Sequence, residues 1–301
     1  MKVGDVISGY RVVSNPTNQG GGRCVWAFAE RDGREYFIKQ FLDPKRPRED
    51  APDSPRTRAI LAECEEFESR QRLIGDRINP RTSGAGNLVL PVKFFAERST
   101  YYKVTERVRP AELTNVFALD THNKNVLVRT LALSIQLLHE TGMVHGDLKP
   151  ENVVIQRRAA NAFHVAKLID LDDAYPSGDP PDHDVITGGP PYCSPELLRY
   201  MKEDGDVEPA DLSTSTDVFS LALVMHRYLT GRLPESPAGF DSPADVVNAG
   251  RRLEIDERLA PSLRALVEAA TEYHPLNRPA AADFFIALKD PDACVLRRSR
   301  S

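Results

Sequence analysis

Apolar residues in the first third of the chain fall in short runs broken by glycine. Further on they recur every three or four positions, so strands should come first and helices later. Gly9 to Val13, Val25-Trp26-Ala27-Phe28-Ala29 and Glu35-Tyr36-Phe37-Ile38 read as strands, the last two joined by a turn at Asp32-Gly33. Asp43 to Arg56 is rich in proline and charge and reads as a loop. Ile60, Leu61, Cys64, Phe67, Leu73 and Ile74 carry helical spacing, which predicts a helix from Arg58 to about Ile74. Arg81 to Asn87 is a polar break, and Leu88 to Val92 and Tyr101 to Thr105 are two further strands. The count predicts an α+β chain that opens with five strands and one main helix. Val126, Leu127, Thr130, Leu131, Ser134, Leu137 and Leu138 predict a second long helix over Lys124 to His139, stopped by Gly142. A strand pair at Val153–Ile155 and Val165–Ile169 follows, then helices near Pro243–Ala249, Pro261–Thr271 and Ala280–Leu288. No internal repeat is visible.

With 301 residues the chain can bury a sizeable core, as one large domain or two lobes. A net charge of −5 argues against general nucleic-acid binding, which calls for a basic face. No apolar run approaches the roughly 20 residues of a membrane span. The stretch Met1 to Asp5 lacks the apolar core of a signal peptide, so a cytoplasmic location with no membrane contact is expected. Cys24, Cys64, Cys193 and Cys294 are far apart and form no C-x-x-C pair, which argues against a zinc site and a disulfide framework. The basic stretch Arg297-Arg298-Ser299-Arg300 reads as a solvated, disordered tail covering 292–301.

Candidate chemistry concentrates in His145-Gly146-Asp147-Leu148-Lys149-Pro150-Glu151-Asn152, flanked by apolar Met143-Val144 and Val153 to Ile155. Asp147 can orient a substrate hydroxyl and accept its proton, Lys149 can neutralise a transferring phosphoryl group, and Asn152 can offer an amide oxygen to Mg²⁺. The run resembles the catalytic loop H-R-D-L-x-x-x-N of the protein-kinase family, in its serine/threonine-specific, bacterial-type form. Further motifs follow the family's order from about Tyr10 to Asp290. Ile169-Asp170-Leu171-Asp172 aligns with the metal-binding D-F-G, and Tyr192-Cys193-Ser194-Pro195-Glu196 with the segment that closes the activation loop. Asp217-Val218-Phe219-Ser220-Leu221 resembles the start of the central helix of the second lobe, and Arg278 the buried partner of Glu196.

The resemblance implies a two-lobed α+β fold, with a nucleotide-binding lobe over 1–107 built on a five-stranded antiparallel sheet with one main helix, and a larger, mainly helical catalytic lobe over 108–291. Gly20, Gly21, Gly22 and Val25 take the place of the glycine-rich loop, with Asn18 and Arg23 where the pattern has its first and third glycines. Lys39, at the end of Tyr36-Phe37-Ile38-Lys39, is the expected phosphate-holding lysine. Glu63 is its expected partner from the following helix, with Glu66 the alternative. Glu106-Arg107-Val108 is the hinge whose backbone, at Glu106 and Val108, receives adenine, and Thr105 sits at the rear pocket. Asp147 and Lys149 are the catalytic residues, and Asn152 and Asp170 the metal ligands. Asp217 is expected to hold the catalytic loop's backbone, a helix N-terminal cap being its other reading. ATP and Mg²⁺ are the implied cofactors, and a protein hydroxyl, including the enzyme's own, the implied acceptor. Any regulator lies on another chain.

Four departures from the pattern matter. Phe37 stands where the family has a small residue over adenine, and Asp172 replaces a glycine. Gly189 replaces a threonine near the catalytic aspartate, and Gly146 an arginine that anchors a phosphorylated activation loop. The acidic activation loop, Asp170 to Asp184, reads as a solvated segment or as an attraction for basic substrates. Asp182-His183-Asp184 lacks a third partner for a metal site. Two other functions fit parts of the pattern. One is a small-molecule phosphotransferase of the aminoglycoside or choline kinase type. The other is a pseudokinase that serves as a binding module.

Overall fold

The computed structural model describes residues 1–20, 22–78, 87–113, 115–158, 163–186 and 188–298. Two compact units divide it: Met1–Asn79 with Val89–Arg109, and Pro80–Leu88 with Pro110–Ser301.

The first unit is built on one antiparallel sheet of six strands in the order β1-β2-β3-β4-β6-β5. These are β1 (Val6–Ile7), β2 (Tyr10–Val12), β3 (Cys24–Arg31), β4 (Arg34–Phe41), β5 (Pro91–Glu97) and β6 (Thr100–Glu106). The extra strand arises because the expected segment Gly9 to Val13 is the second arm of a tiny hairpin. Ser8 and Gly9, both at positive φ, turn β1 back onto it. The expected strand Leu88 to Val92 shifts to Pro91–Glu97, because Leu88 is itself part of the second unit, where it forms a bridge with Leu168. Helix α1 (Pro55–Arg77) starts where Ser54 accepts a hydrogen bond from the Thr57 amide and Pro55 takes the first turn.

Strand alternation divides the sheet's side chains between two faces. Ala27, Ala29, Ile38 and Val104 point to one face and bury against Ile7, Tyr10 and Val12 of the curled β1–β2 hairpin. Cys24, Phe41 and Tyr101 point to the other, where Cys64 and Phe67 of α1 cover them. Phe67 meets Phe41, Phe94 and Tyr101 at ring-centroid distances of 5.0, 5.7 and 5.2 Å, so aromatic packing fixes the rotation of α1 about its axis.

The second unit is mainly helical. Its core is formed by α2 (Thr121–Glu140) and α4 (Thr214–Thr230), with α3 (Pro195–Met201), α5 (Pro243–Asn248), α6 (Pro261–Ala270) and α7 (Ala281–Ala287) around them. Leu127, Leu131, Ile135 and Leu138 of α2 and Phe219, Leu221, Leu223 and Leu229 of α4 are fully buried. Helix α4 is buried on nearly every side, as a central helix is, with Thr216, Asp217, Ser220 and His226 among its buried residues. It ends at Gly231, whose φ of +86° and amide bond to the Arg227 carbonyl (2.8 Å) close the last turn. The strands β7 (Met143–Val144), β8 (Val153–Arg158), β9 (Phe163–Leu168) and β10 (Tyr175–Pro176) complete the unit as two short antiparallel pairs, β7 with β10 and β8 with β9. No helix of the described residues is long and apolar enough to cross a membrane.

The terminal segment departs from the expected solvated tail. Ala293 and Cys294 are buried, and the Arg297 amide bonds the Arg258 carbonyl at 2.7 Å. Two small side chains suffice to dock it, a signal that the neighbouring arginines mask in the sequence. Ser299 and Arg300 lie outside the described residues.

His226 of α4 gives this unit a built-in pH dependence. Its ring is buried, Nδ1 donates to the Arg232 carbonyl (2.8 Å), and Nε2 accepts from the Asp256 amide (3.1 Å). Burial pushes its pKa below the ordinary 6.5, although the Arg232 carbonyl and Asp256 oppose the shift. The unfolded chain therefore takes up this proton first as pH falls. Stability should be fully present above about pH 6.5 and decline below it. Asp256 is held well below the usual carboxylate range by its hydrogen bond from Arg258, so its own contribution is lost only in stronger acid. Melting temperature should thus fall between pH 7 and pH 5 more steeply for the wild type than for His226→Gln. Parallel curves would remove His226 from this role.

Candidate active site

A two-residue strand, β7, delivers the chain into the loop His145 to Asn152, and one carboxylate holds that loop from below. Asp217 Oδ2 accepts from the His145 amide (2.7 Å) and Oδ1 from the Gly146 amide (3.0 Å). Nε2 of His139, at the end of α2, reaches Oδ2 at 3.0 Å. Burial alone would raise the pKa of Asp217, but the bond from His139 and the surrounding donors outweigh it and keep the carboxyl below its ordinary value. The residue lies inside α4, whose cap is Ser213, so its role is to clamp the loop and the capping reading falls away. His145 is fully buried. Its Nδ1 accepts from the Asp147 amide (3.3 Å), so the proton sits on Nε2, which donates to the Ile169 carbonyl at 3.2 Å.

The side chain of Asp147 emerges above this scaffold. Lys149 Nζ lies 2.5 Å from Oδ2, and Asn152 Nδ2 donates to both Oδ2 (3.1 Å) and the Asp147 carbonyl (2.8 Å). Oδ1 faces the Cα of Gly189, where an added Cβ would stand 3.6 Å away. The bond from the Ile169 amide to the Asn152 carbonyl (2.9 Å) draws the end of β9 to the loop, which makes Asp170 a neighbour of Asn152. Asp170 has φ +59° and ψ +62°, a left-handed conformation that aspartate tolerates at a cost on the order of 1 kcal/mol. It opens a 3₁₀ turn over Leu171–Asp173 in which Leu171 is buried.

Gly146 has a conformational and a steric reason to be glycine. Its φ is +80°, and an added Cβ would stand 2.9 Å from Cε1 of Tyr175 and 3.2 Å from the Asp173 carbonyl. Tyr175 pairs with Val144 across β10 and β7, and its ring fills this space. It anchors a buried cluster with Ile186, Cys193, Leu197 and Leu198 that packs the acidic segment against α3. Within that segment His183 pairs with Glu203 (3.3 Å), and the Tyr200 hydroxyl donates to the Pro181 carbonyl (3.2 Å).

The other motifs of the second unit fall into place around α3. Ser194 caps it, Pro195 opens it, and Glu196 forms a two-pronged pair with Arg278 at 2.7 and 2.8 Å. Both partners are buried.

In the first unit the register settles which side chains share a face. Lys39 lies opposite Trp26 on β3 and Lys103 on β6, and Phe37 lies opposite Phe28 and Thr105. Lys39, Phe37, Trp26 and Phe28 therefore project together. Lys39 lies inside β4, not at its end, and is buried. Trp26 stacks on Phe37 with centroids 5.2 Å apart, and its Nε1 donates to the Gln19 carbonyl (3.0 Å), which pins the glycine-bearing loop. Gly20 and Gly22 have φ of +67° and +53°, with open space where a Cβ would be. Gly21 lies outside the described residues.

The strand register and the rotation of α1 bear on two further expectations for this unit. Val25 pairs with Gln40, so it points to the face opposite Lys39 and Phe37. Glu63 and Glu66 are both exposed, because the aromatic packing of Phe67 turns Cys64, Phe67, Gln71 and Ile74 inward. Glu68 of α1 accepts from the Tyr101 hydroxyl at 2.6 Å. At the hinge segment, Glu106 is exposed at the end of β6 and Val108 is half-buried. The Arg107 amide bonds the Glu35 carbonyl (3.2 Å), and the Glu35 carboxylate receives Arg109 and Arg107 (2.5 and 3.0 Å). The bond from Arg109, with that of Arg107, lowers the pKa of Glu35.

His139 and Tyr175 escaped the sequence reading. Neither carries a local pattern, and only the fold reveals what they touch.

The sequence was compared with known proteins. A profile of the protein kinase domain matches residues 62–286, 225 of the 301 residues. Serine/threonine-protein kinase pkn3 of Myxococcus xanthus is 27% identical over 180 residues, covering 55% of this chain and 31% of that protein. Human serine/threonine-protein kinase ULK3 is 26% identical over 183 residues, covering 60% and 34%. CBL-interacting protein kinase 1 of rice is 29% identical over 203 residues, covering 64% and 40%. The matched region spans only about a third of the length of the first two relatives.

Proposed function

This chain belongs to the protein kinase family, and from that premise we propose that it transfers the γ-phosphoryl group of ATP to a serine or threonine hydroxyl of a protein. The observation that carries the proposal is the state of Asp147. One carboxylate oxygen is held by Lys149 and Asn152, and the other faces the open side of Gly189. A carboxylate fixed in this way can receive a hydroxyl, align it and take its proton. The Lys149 ammonium stands ready to neutralise charge on the phosphoryl group in transit. In the first unit Lys39 and the backbone at Gly20 and Gly22 are the groups suited to the nucleotide's phosphates. Residues 1–107 then serve the nucleotide and 108–291 the acceptor.

The residues present fit a magnesium ion. Asn152 spends its Nδ2 on Asp147 and so keeps its amide oxygen for a metal. With the Asp170 carboxylate it forms a hard-oxygen pair. Asn152 and Asp170 would hold Mg²⁺, which when bound offsets the negative charge of the phosphates.

A protein acceptor is favoured over a small molecule by the Ser194-Pro195-Glu196 segment with its Arg278 partner and by Asp217. These belong to the protein-kinase pattern and are all engaged in this structure. Mass spectrometry of the chain and of basic test proteins after incubation with Mg-ATP tests the proposal. Phosphoserine or phosphothreonine is expected. Label confined to aminoglycosides or choline would overturn it.

Nucleotide binding can be read separately. Trp26 is the only tryptophan, and it stacks on Phe37 on the Lys39 face. Its fluorescence should change saturably on titration with Mg-ATP, and Phe37→Ala, which removes a bulky ring from that face, should tighten binding several-fold. No signal at millimolar nucleotide, with a melting temperature also unmoved, would favour a binding module without chemistry.

A further inference from the structure

The geometry points to Gly189 as the residue that sets the size of the acceptor, making room for threonine beside the catalytic carboxylate. This assignment rests on the protein-kinase reading above. Lys149 and Asn152 already occupy Oδ2 of Asp147, so the acceptor hydroxyl must approach Oδ1. Gly189 borders that oxygen. A Cβ at that position would stand 3.6 Å from Oδ1 and 3.4 Å from Cδ of Lys149. Its backbone is fixed, because the Gly189 carbonyl accepts from both the Tyr192 amide (2.9 Å) and the Cys193 amide (3.0 Å). Tyr192 is itself tied to α4, through Ser220 Oγ on its carbonyl and Arg227 on its hydroxyl (both 2.8 Å). The missing side chain is thus a permanent gap next to the reacting oxygen.

In the transfer, the acceptor oxygen bonds to the γ-phosphorus as the bond to the β,γ-bridging oxygen breaks. The hydroxyl proton passes to Asp147, and the electron pair of the broken bond leaves with ADP. The carbon that bears the reacting oxygen must therefore lie within van der Waals reach of Oδ1. Threonine carries one more methyl on that carbon than serine, and the gap at Gly189 is the space that admits it. A methyl group at residue 189 meets its neighbours at ordinary contact distances, and φ there lies outside the left-handed region, so Gly189→Ala should fold like the wild type. What the added methyl removes is room for the acceptor.

The full chain and its Gly189→Ala and Gly189→Val variants would be assayed with labelled ATP. The probes are two degenerate peptide libraries that differ only in serine or threonine at the single acceptor position. The wild type should use the threonine library at least as well as the serine library. Gly189→Ala should lower the threonine-to-serine ratio of kcat/KM by about tenfold, the discrimination one methyl group commonly provides, and Gly189→Val should lower it further. Melting temperature should stay unchanged for the alanine variant. Label on both libraries in a ratio indifferent to residue 189 would overturn this assignment alone. Label on neither with the wild type would overturn the protein-kinase reading and the assignment with it.

Discussion

Asp147→Ala should lower phosphoryl transfer by about two to four orders of magnitude, the usual contribution of a positioned general base, while leaving nucleotide binding nearly unchanged. The loop does not depend on this side chain for its shape. Asp217 holds it through the His145 and Gly146 amides, and Asn152 holds it through the Asp147 carbonyl, bonds that alanine retains. The substitution removes the partner of Lys149 and one of the two acceptors of Asn152 Nδ2, both at the acceptor side of the loop. The variant should therefore show the wild-type dependence of Trp26 fluorescence on Mg-ATP and almost no phosphorylated product. Asp147→Asn separates shape from chemistry, because it preserves the size of the side chain but cannot take the proton, and it should be nearly as inactive. Autophosphorylation at the wild-type rate in either variant would exclude Asp147 as the base.

The residues that could be read in advance were those whose geometry is set by one short loop. His145 to Asn152 must fold on itself between two buried strands, so Asp147, Lys149 and Asn152 are neighbours in space because they are neighbours in sequence. Glu196 and Arg278 are 82 residues apart, but each is flagged by an adjacent proline at the edge of a helix or turn. What could not be read depended on quantities that a single sequence does not carry. Val25 takes its place from the valine of the family pattern, which carries no strand register. Strand side chains alternate, so the register decides which face each residue takes: Trp26 lies opposite Lys39, and Val25 opposite Gln40. Glu63 takes its role from the family's helix after the lysine strand, whereas the rotation of α1 follows from Phe67 meeting Phe41, Phe94 and Tyr101, three rings from three strands. The strand β1 spans two residues, too few to show a period.

Arg278→Met should be the most damaging single change to the fold of the second unit. Arg278 carries five N–H donors, and all five are used. Two go to Glu196, and the others to the carbonyls of Ser215 (3.1 Å), Glu272 (2.9 Å) and Tyr273 (3.2 Å). Its guanidinium also lies over the Phe219 ring at 5.2 Å. The side chain has no exposure to water, so nothing else can satisfy those groups once it is gone. The variant leaves a buried carboxylate with only the Thr216 hydroxyl (3.1 Å) and three carbonyls without this donor. Breaking a buried pair from one side costs roughly 3–5 kcal/mol. For a unit of this size that corresponds to a drop in melting temperature on the order of 10 °C. Glu196→Gln should cost less, because the amide oxygen still accepts one guanidinium bond and the three carbonyl contacts survive. Arg278→Lys should recover little, since an ammonium has three donors and cannot match the planar fork. The damage should also reach the reaction. Thr216, which touches Glu196, is followed in α4 by Asp217, whose carboxylate positions the catalytic loop. In whatever fraction of Arg278→Met stays folded, transfer should therefore weaken while the Trp26 response to Mg-ATP persists. A variant that melts within a degree or two of the wild type would show that this pair is replaceable and that α3 is held mainly by the apolar cluster around Leu197.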